Sequence, residues 1–317
     1  MARYLVTGGC GFIGSHLADA LVAAGHGVVV LDDFSTGRRE NAPLAATVVT
    51  GRIEDADAVR RAMTGADGCF HLAAVASVER SRVAWAATHR TNLTGTINIF
   101  DAARSAGTGG RTIPVVYASS AAVYGDNPDL PLGEDAAARP LSAYGADKLG
   151  CELHARVAGA IHGVPTAGMR FFNVYGPRQD PRSPYSGVIS IFAGRLAAGQ
   201  APTINGDGGQ TRDFVYVADV VAHLRAAMTK ADASGPVWNV ATGRAVTIAE
   251  LWRTMAATRG STLEPVHGPA REGDIRHSLG SPARATTALG VSATTRLADG
   301  LAATLAALQP AATRGSG

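Results

Sequence analysis

Cysteine is scarce: Cys10, Cys69 and Cys151 are the only three in 317 residues. They form no Cys-x-x-Cys pair and have no histidine at ligand spacing. That excludes a disulfide framework and an ordinary zinc site, and leaves buried reduced thiols as the expectation. The nine histidines are scattered. Charge of one sign is also lacking. With 29 basic and 26 acidic residues the net charge is only +3, too little to hold a nucleic acid or a membrane surface. No apolar run approaches the roughly 20 residues that cross a bilayer. The N-terminus passes directly into Arg3-Tyr-Leu-Val-Thr7, without the basic region and apolar core of a secretory signal. A cytoplasmic protein with no nucleic-acid or membrane partner is expected.

What is present is a regular alternation of short apolar strands and helical stretches. Arg3–Thr7, Val28–Asp32, Thr47–Thr50, Cys69–Leu72, Pro114–Ser119 and Thr166–Phe171 read as strands. Between them, Phe12–Ala24, Asp55–Met63, a long stretch from Arg82 to Ala106, and Ala143–Ile161 read as helices. Continuous apolar strands separated by helices predict parallel βαβ units with both sheet faces covered. Beyond Asn173 the texture changes. A turn-rich loop, Tyr175–Pro184, precedes a helix near Val188–Ala198, strands near Pro202–Asn205, Phe214–Val217 and Val237–Val240, and a helix from Asp219 to Lys230. The reading is an α/β protein. A Rossmann-type doubly wound parallel sheet spans 1–172, with a later segment near 214–236 returning to it. A smaller α+β substrate-binding domain spans mainly 173–308, and a disordered tail 309–317.

Gly8, Gly11 and Gly14 fall at three-residue spacing between the first strand and the first helix. Glycines there let the chain turn sharply, approach a pyrophosphate closely and aim a helix N-terminus at it. Asp32 closes the second strand at the distance expected for a ribose-binding carboxylate. Its charge favours NAD over a cofactor with a 2′-phosphate. Arg38 and Arg39 read as solvated charges.

Farther along, Tyr144 and Lys148 stand four residues apart behind Ser142, a plausible N-cap. In a helix they share one face. An ammonium held beside a phenol favours the phenolate, a proton acceptor suited to an alcohol.

With the glycine loop, Ser119-Ser120 at a strand end and Tyr144…Lys148 in this order, the chain resembles the extended short-chain dehydrogenase/reductase family. Within it, the likeness is to NAD-dependent nucleotide-sugar epimerases of the UDP-glucose 4-epimerase type. It extends to about Leu308 and is carried by TGGCGFIGSHL (7–17), HLAAVASV (71–78), SSAAVYG (119–125), YGADK (144–148), RFFNVYGPRQDP (170–181) and GDGGQTRDFVYVADV (206–220).

The resemblance implies a triad of Ser120, Tyr144 and Lys148, with Tyr144 as base, Ser120 on the sugar 4-hydroxyl and Lys148 on the nicotinamide ribose. For NAD it implies contacts from Gly8, Gly11, Phe12, Ile13, Gly14, Asp32, Asp33, Ile53, Leu72, Ala73, Ala74, Asn92, Ser119, Tyr144, Lys148 and Phe171. For a UDP-sugar it implies Asn173, Arg212 and Arg271 at the diphosphate, where guanidinium forks match phosphate oxygens. Val188, Asn205 and Asp274 would lie near the nucleoside. Ser278 stands where glucose- and galactose-limited members often carry tyrosine, which implies room for an N-acetyl group. A homodimer through the 82–106 and 143–162 helices is implied as well.

Two departures stand out. Gly51-Arg52-Ile53 replaces the usual acidic residue near the adenine, for which Glu54 or Asp55 could compensate. Ala76 replaces a basic residue found in some members. The rival 4,6-dehydratases would need an Asp-Glu pair at Ala121 and Ala122, which cannot transfer protons. A uronate substrate paired with Arg178 or Arg182, or a non-catalytic NAD-binding regulator, stays open at this point.

Overall fold

A computed structural model describes residues 1–180, 187–271 and 274–308. Arg182 and the tail from Gln309, both considered above, lie outside the described residues.

Strands β1 (Arg3–Thr7), β2 (Gly27–Asp32), β3 (Thr47–Thr50), β4 (Gly68–His71), β5 (Val115–Ser120), β6 (Thr166–Phe171) and β11 (Val237–Val240) form one sheet in the order β11-β6-β5-β4-β1-β2-β3. Every pairing in it is parallel. Strand order reverses next to β1, as in doubly wound dinucleotide-binding sheets. Successive side chains serve opposite faces, as a period of two requires. Leu5, Val29, Leu31, Val115 and Tyr117 pack beneath α2 (Ala56–Met63), α5 (Gly95–Ala103) and α6 (Ala143–His162). Val6, Val28, Val30 and Val116 pack on the other face, with Leu17 and Leu21 of α1 (Phe12–Ala23) and Val220 and Leu224 of α8 (Val217–Met228).

A third apolar cluster forms a smaller lobe. Ile189 and Phe192 of α7 (Val188–Ala197), Ile204 of β8 (Thr203–Asn205), Leu251, Trp252 and Met255 of α9 (Ile248–Thr258), and Leu301 and Leu305 of the last helix, α10 (Leu297–Ala306), close on Tyr175 and Phe214. Small two-stranded pairings brace it. In one, β7 (Asn173–Tyr175) runs parallel to β10 (Phe214–Tyr216). In another, β9 (Thr211–Arg212) runs antiparallel to β12 (Val246–Thr247).

The helix expected from Arg82 to Ala106 is not continuous. Ser77 accepts the N–H of Arg80 and starts a short helix, α3 (Val78–Val83). The chain breaks at Ala84 (φ −125°, ψ 54°), resumes as α4 (Trp85–His89), widens to a π-turn over Arg90–Thr94, and continues as α5. At the π-turn a competing set of contacts gathers around Asn92. Its carbonyl accepts from Thr96 Oγ1 (2.5 Å) and Cys151 Sγ (3.3 Å), and its amide group grips Val75. A π-turn allows such an insertion where an unbroken helix would not.

Helix α6 conforms to expectation at both ends. Ser142 Oγ accepts the Gly145 N–H at 3.1 Å, and Gly163, at φ +64°, ends the helix in the left-handed region. Gly145 also sits where a Cβ would come within 2.6 Å of the Ala122 carbonyl oxygen. A side chain there would push α6 away from the end of β5.

Candidate active site

A cavity of about 470 Å3 opens at the carboxyl ends of the parallel strands, where open α/β sheets place their ligands. Its floor is the glycine turn after β1. Gly8 has φ +67°, and a Cβ on it would lie 2.8 Å from the Ala73 backbone nitrogen. A Cβ on Gly14 would lie 2.1 Å from the Gly8 carbonyl oxygen. No side chain caps α1, so its N-terminus faces the cavity through backbone alone. Gly11, Phe12 and Ile13 complete this wall.

Asp32, at the end of β2, is buried and held from two sides. Its carboxylate accepts the N–H of Cys10 and of Phe34, each at 2.9 Å. Burial nevertheless raises its pKa, the two backbone donors opposing the rise. The same burial, with Asp32 next, pushes the Cys10 thiol up to about 11, so this thiol stays protonated. Asp33 and Ile53 line the same end of the cavity. Arg52 stands between the carboxylates of Asp33 (3.7 Å) and Glu54 (3.6 Å). Asp55 is occupied elsewhere: it caps α2, accepting the N–H of Asp57 and Ala58. Of the two possible substitutes near an adenine, only Glu54 lines the cavity.

Leu72, Ala73 and Ala74 form the opposite lip, on a loop tied down by a buried relay. Thr7 Oγ1 accepts the N–H of Leu72 and Ala73, so its own proton points to His71 Nδ1 at 2.7 Å. His71 is then protonated on Nε2, which faces Thr96 Oγ1 at 2.9 Å. Burial, and secondarily the Lys148 charge, push the His71 pKa down to about 3. The imidazole is therefore neutral. Asn92 does not line the cavity. It lies one layer behind, gripping both the N–H and the carbonyl of Val75.

Ser119, Ser120, Tyr144, Lys148, Phe171 and Asn173 line the remaining wall. Ser120 Oγ accepts the Ala122 N–H at 3.1 Å, which leaves its proton available to a ligand oxygen. Lys148 is buried and donates to the Ala118 carbonyl at 2.8 Å. Its ammonium lies 5.9 Å from the centroid of the Tyr144 ring. The backbone N–H of Tyr144 is in turn held by Ser81 Oγ on α3.

The other residues assigned to the sugar nucleotide gather in the smaller lobe. Arg212 donates to Asp274 Oδ1 at 2.6 Å, and the Ser278 N–H to the Thr211 carbonyl at 3.2 Å. This group joins the cavity wall through backbone, since the Asn173 N–H donates to the Asp213 carbonyl next to Arg212. Asn205 ends β8, and its carbonyl accepts from Gln210 Nε2. Val188 begins α7 against the third apolar cluster. Arg271 is exposed, its charge lowering the pKa of Glu79 behind the larger effect of Arg82. Arg178 is engaged by Asp19 at 2.7 Å.

The residue-by-residue reading missed several cavity residues, Arg80 and Gln179 among them. Arg80, on α3, lines the cavity four residues beyond Ala76 and brings a cation to that wall. Gln179 lines it too, and its Oε1 is buried without a hydrogen-bond partner among the described residues. The signal for Arg80 was a basic side chain only four positions after Ala76, where some members of the resembling family carry one. Composition also holds an unused signal, because Lys148 is one of only two lysines among the 29 basic residues.

The chain's own residues fit a dinucleotide. The cradle at Gly8 and Gly14 is one that any Cβ would fill, a carboxylate closes β2, and a buried acceptor on Gln179 awaits a donor. Fold and cavity thus define a short-chain dehydrogenase/reductase of the extended kind. The chain belongs to the NAD dependent epimerase/dehydratase family, whose model matches residues 4–241.

Individual relatives agree. The chain is 40% identical over 311 residues to the UDP-glucose 4-epimerase of Mycolicibacterium smegmatis, covering 96% of this chain and 97% of the relative. The crystal structure of a UDP-glucose 4-epimerase with UDP-glucose from Thermotoga maritima superposes with a TM-score of 0.91 at 36% identity, covering 96% and 98% of the two chains. A UDP-N-acetylglucosamine 4-epimerase from Methanobrevibacter ruminantium, in complex with UDP-N-acetylmuramic acid, gives 0.91 at 33% identity, covering 96% and 97%.

Proposed function

We propose that the chain is an NAD-dependent UDP-hexose 4-epimerase that interconverts UDP-glucose and UDP-galactose, and UDP-N-acetylglucosamine and UDP-N-acetylgalactosamine. The observation that carries this reading is that Ser120, Tyr144 and Lys148 line the same cavity as the Gly8–Gly14 turn. NAD would lie along that turn, with its adenosine ribose at Asp32 and its nicotinamide ribose at Lys148. When bound, it supplies a ring that takes a hydride from the sugar and returns it. Ser120 donates to the sugar 4-oxygen and orients it. Tyr144 takes the 4-hydroxyl proton, with the Lys148 ammonium nearby to favour the phenolate. The resulting 4-keto sugar turns over inside the cavity and presents the opposite face of C4 for the hydride's return, while Tyr144 gives the proton back to the 4-oxygen. Nothing is consumed, so orientation and charge placement carry the catalysis.

Asn173, Arg212 and Arg271 would meet the diphosphate, with Val188, Asn205 and Asp274 near the nucleoside. Ser278, half-buried beside Thr211, would leave space for a 2-acetamido group. The dehydratase alternative is set aside because Ala121 and Ala122 form the turn after β5 and carry no proton-transferring group.

The protein would work as a homodimer. Val83 and Trp85, at the α3–α4 junction, are 76% and 68% exposed, and Leu153, Val157 and Ile161 recur every fourth residue along the open face of α6. Such an apolar patch fits a two-fold interface. The cytoplasm is the proposed location, and no described helix is long and apolar enough to cross a membrane.

Incubation with a panel of UDP-sugars, with products resolved by C4 stereochemistry, tests the reaction. Inversion of UDP-glucose and UDP-N-acetylglucosamine is expected. Absence of inversion on every UDP-hexose would overturn the reading.

A further inference from the structure

Glu152 stands on α6 one turn beyond Lys148 and two beyond Tyr144, with its side chain only 3% exposed. Its Oε1 accepts from Ser119 Oγ at 2.6 Å and from Arg170 Nε at 2.8 Å, and its Oε2 from a terminal nitrogen of Arg170 at 2.7 Å. Ser119 directly precedes Ser120 on β5, and Arg170 directly precedes Phe171 on β6. A single carboxylate therefore ties the helix carrying Tyr144 and Lys148 to the ends of two adjacent strands, at the level of the cavity. The tie continues outward. Arg170 donates to Tyr124 Oη (2.8 Å) and to the Glu134 carbonyl (3.0 Å), and Tyr124 donates to Asn239 on β11 (2.7 Å).

A buried ion pair is a poor way to gain stability, because apolar side chains of equal volume do as well without losing hydration. What a forked guanidinium–carboxylate pair adds is direction, fixing both the rotation and the axial position of the helix that bears it. Catalysis by proton transfer depends on such placement, since a displacement of about 1 Å can cost on the order of a hundredfold in rate.

We propose that Glu152 and Arg170, acting through Ser119, are positioning residues that set the placement of Tyr144 and Lys148 relative to Ser120. The proposal rests on the epimerase reading above. It assigns Glu152 and Arg170 no contact with substrate or cofactor.

The decisive variant is Ser119→Ala, which cuts the tie to β5 while leaving the ion pair intact. Its kcat for UDP-glucose is expected to fall about tenfold or more. KM should stay within about twofold of wild type and Tm close to it, with kcat expressed per bound NAD because Ser119 also lines the cavity. Ser119→Thr, which keeps the hydroxyl, restores kcat. Arg170→Lys, which keeps the charge and loses the fork, lowers kcat in the same manner. If Ser119→Ala and Arg170→Lys are folded and retain wild-type kcat, or if they raise KM with kcat unchanged, the proposal is overturned.

A wild-type protein inactive on every UDP-hexose would instead overturn the epimerase reading. Crystal structures of wild type and Ser119→Ala would then test positioning alone. A shifted Tyr144–Ser120 separation supports it, and an unchanged one refutes it.

Discussion

Acid will destabilise this protein through His71. The imidazole is fully buried between Thr7 and Thr96, and its pKa is lowered from 6.5 to about 3, first by burial and then by Lys148. In the unfolded chain the same group takes a proton near pH 6.5. Because the folded-state pKa is the depressed one, its contribution is intact above about pH 6.5 and is lost as pH falls from there towards 3. Each pH unit in that window costs about 1.4 kcal/mol, so roughly 2 kcal/mol is lost by pH 5. That is a sizeable part of the roughly 5–15 kcal/mol that holds a typical domain together. Protonation also removes the Nδ1 acceptor that holds Thr7, and Thr7 holds Leu72 and Ala73 at the cavity lip. Because the folded ring stays neutral until about pH 3, NAD should stay bound to the folded protein at pH 5. The assay is equilibrium urea unfolding at pH 7.5, 6 and 5 for wild type and His71→Asn, with bound NAD measured in parallel. The variant starts less stable, but its stability should fall by about 2 kcal/mol less than wild type between pH 7.5 and 5. Equal falls in the two proteins would refute the assignment of acid sensitivity to this buried ring.

Gly14→Ala should lose bound NAD, read by extraction and chromatography, because its Cβ would meet the Gly8 carbonyl oxygen at 2.1 Å; retained cofactor would show that the turn does not carry the pyrophosphate. Tyr144→Phe should lower kcat at least about a hundredfold while NAD stays bound, and undiminished turnover would remove the proposed base. Ser278→Tyr should suppress N-acetylhexosamine turnover and spare UDP-glucose, whereas equal losses on both would rule out a gate at that position. Trp85→Glu, on the exposed apolar face, should convert a dimer to a monomer in analytical ultracentrifugation; an unchanged sedimentation coefficient would place the interface elsewhere.

Much of the sheet was legible because its strands are short, continuous and apolar, and because the loops between them are punctuated by glycine. The strands beginning near Arg3, Val28, Thr47, Cys69, Pro114 and Thr166 all lie in the parallel sheet within two residues of their expected bounds. The Ser142 cap on α6 was local chemistry, visible in the sequence as a serine three residues ahead of Gly145. The region from 82 to 106 misled because its helical pattern is real, while the break at Ala84 follows no glycine or proline and the π-turn accompanies contacts of Asn92 with Val75 and Cys151. The smaller lobe was only partly legible. Short strands such as β7, β9 and β12 have too few residues for a period of two to show, and pairing with distant segments defines them.

The sequence by itself determined the glycine turn after β1, the acidic end of β2 and the four-residue spacing of Tyr144 and Lys148. These are short-range features whose geometry follows from local backbone rules. Only the tertiary structure decided that Glu152, Arg170 and Ser119 form one buried knot, that Asn92 stands behind the cavity wall, and that Arg80 and Gln179 face into it. Residues 18 to 51 positions apart meet in that knot. No local pattern marks such a meeting, because it exists only once the helix has packed across two strand ends.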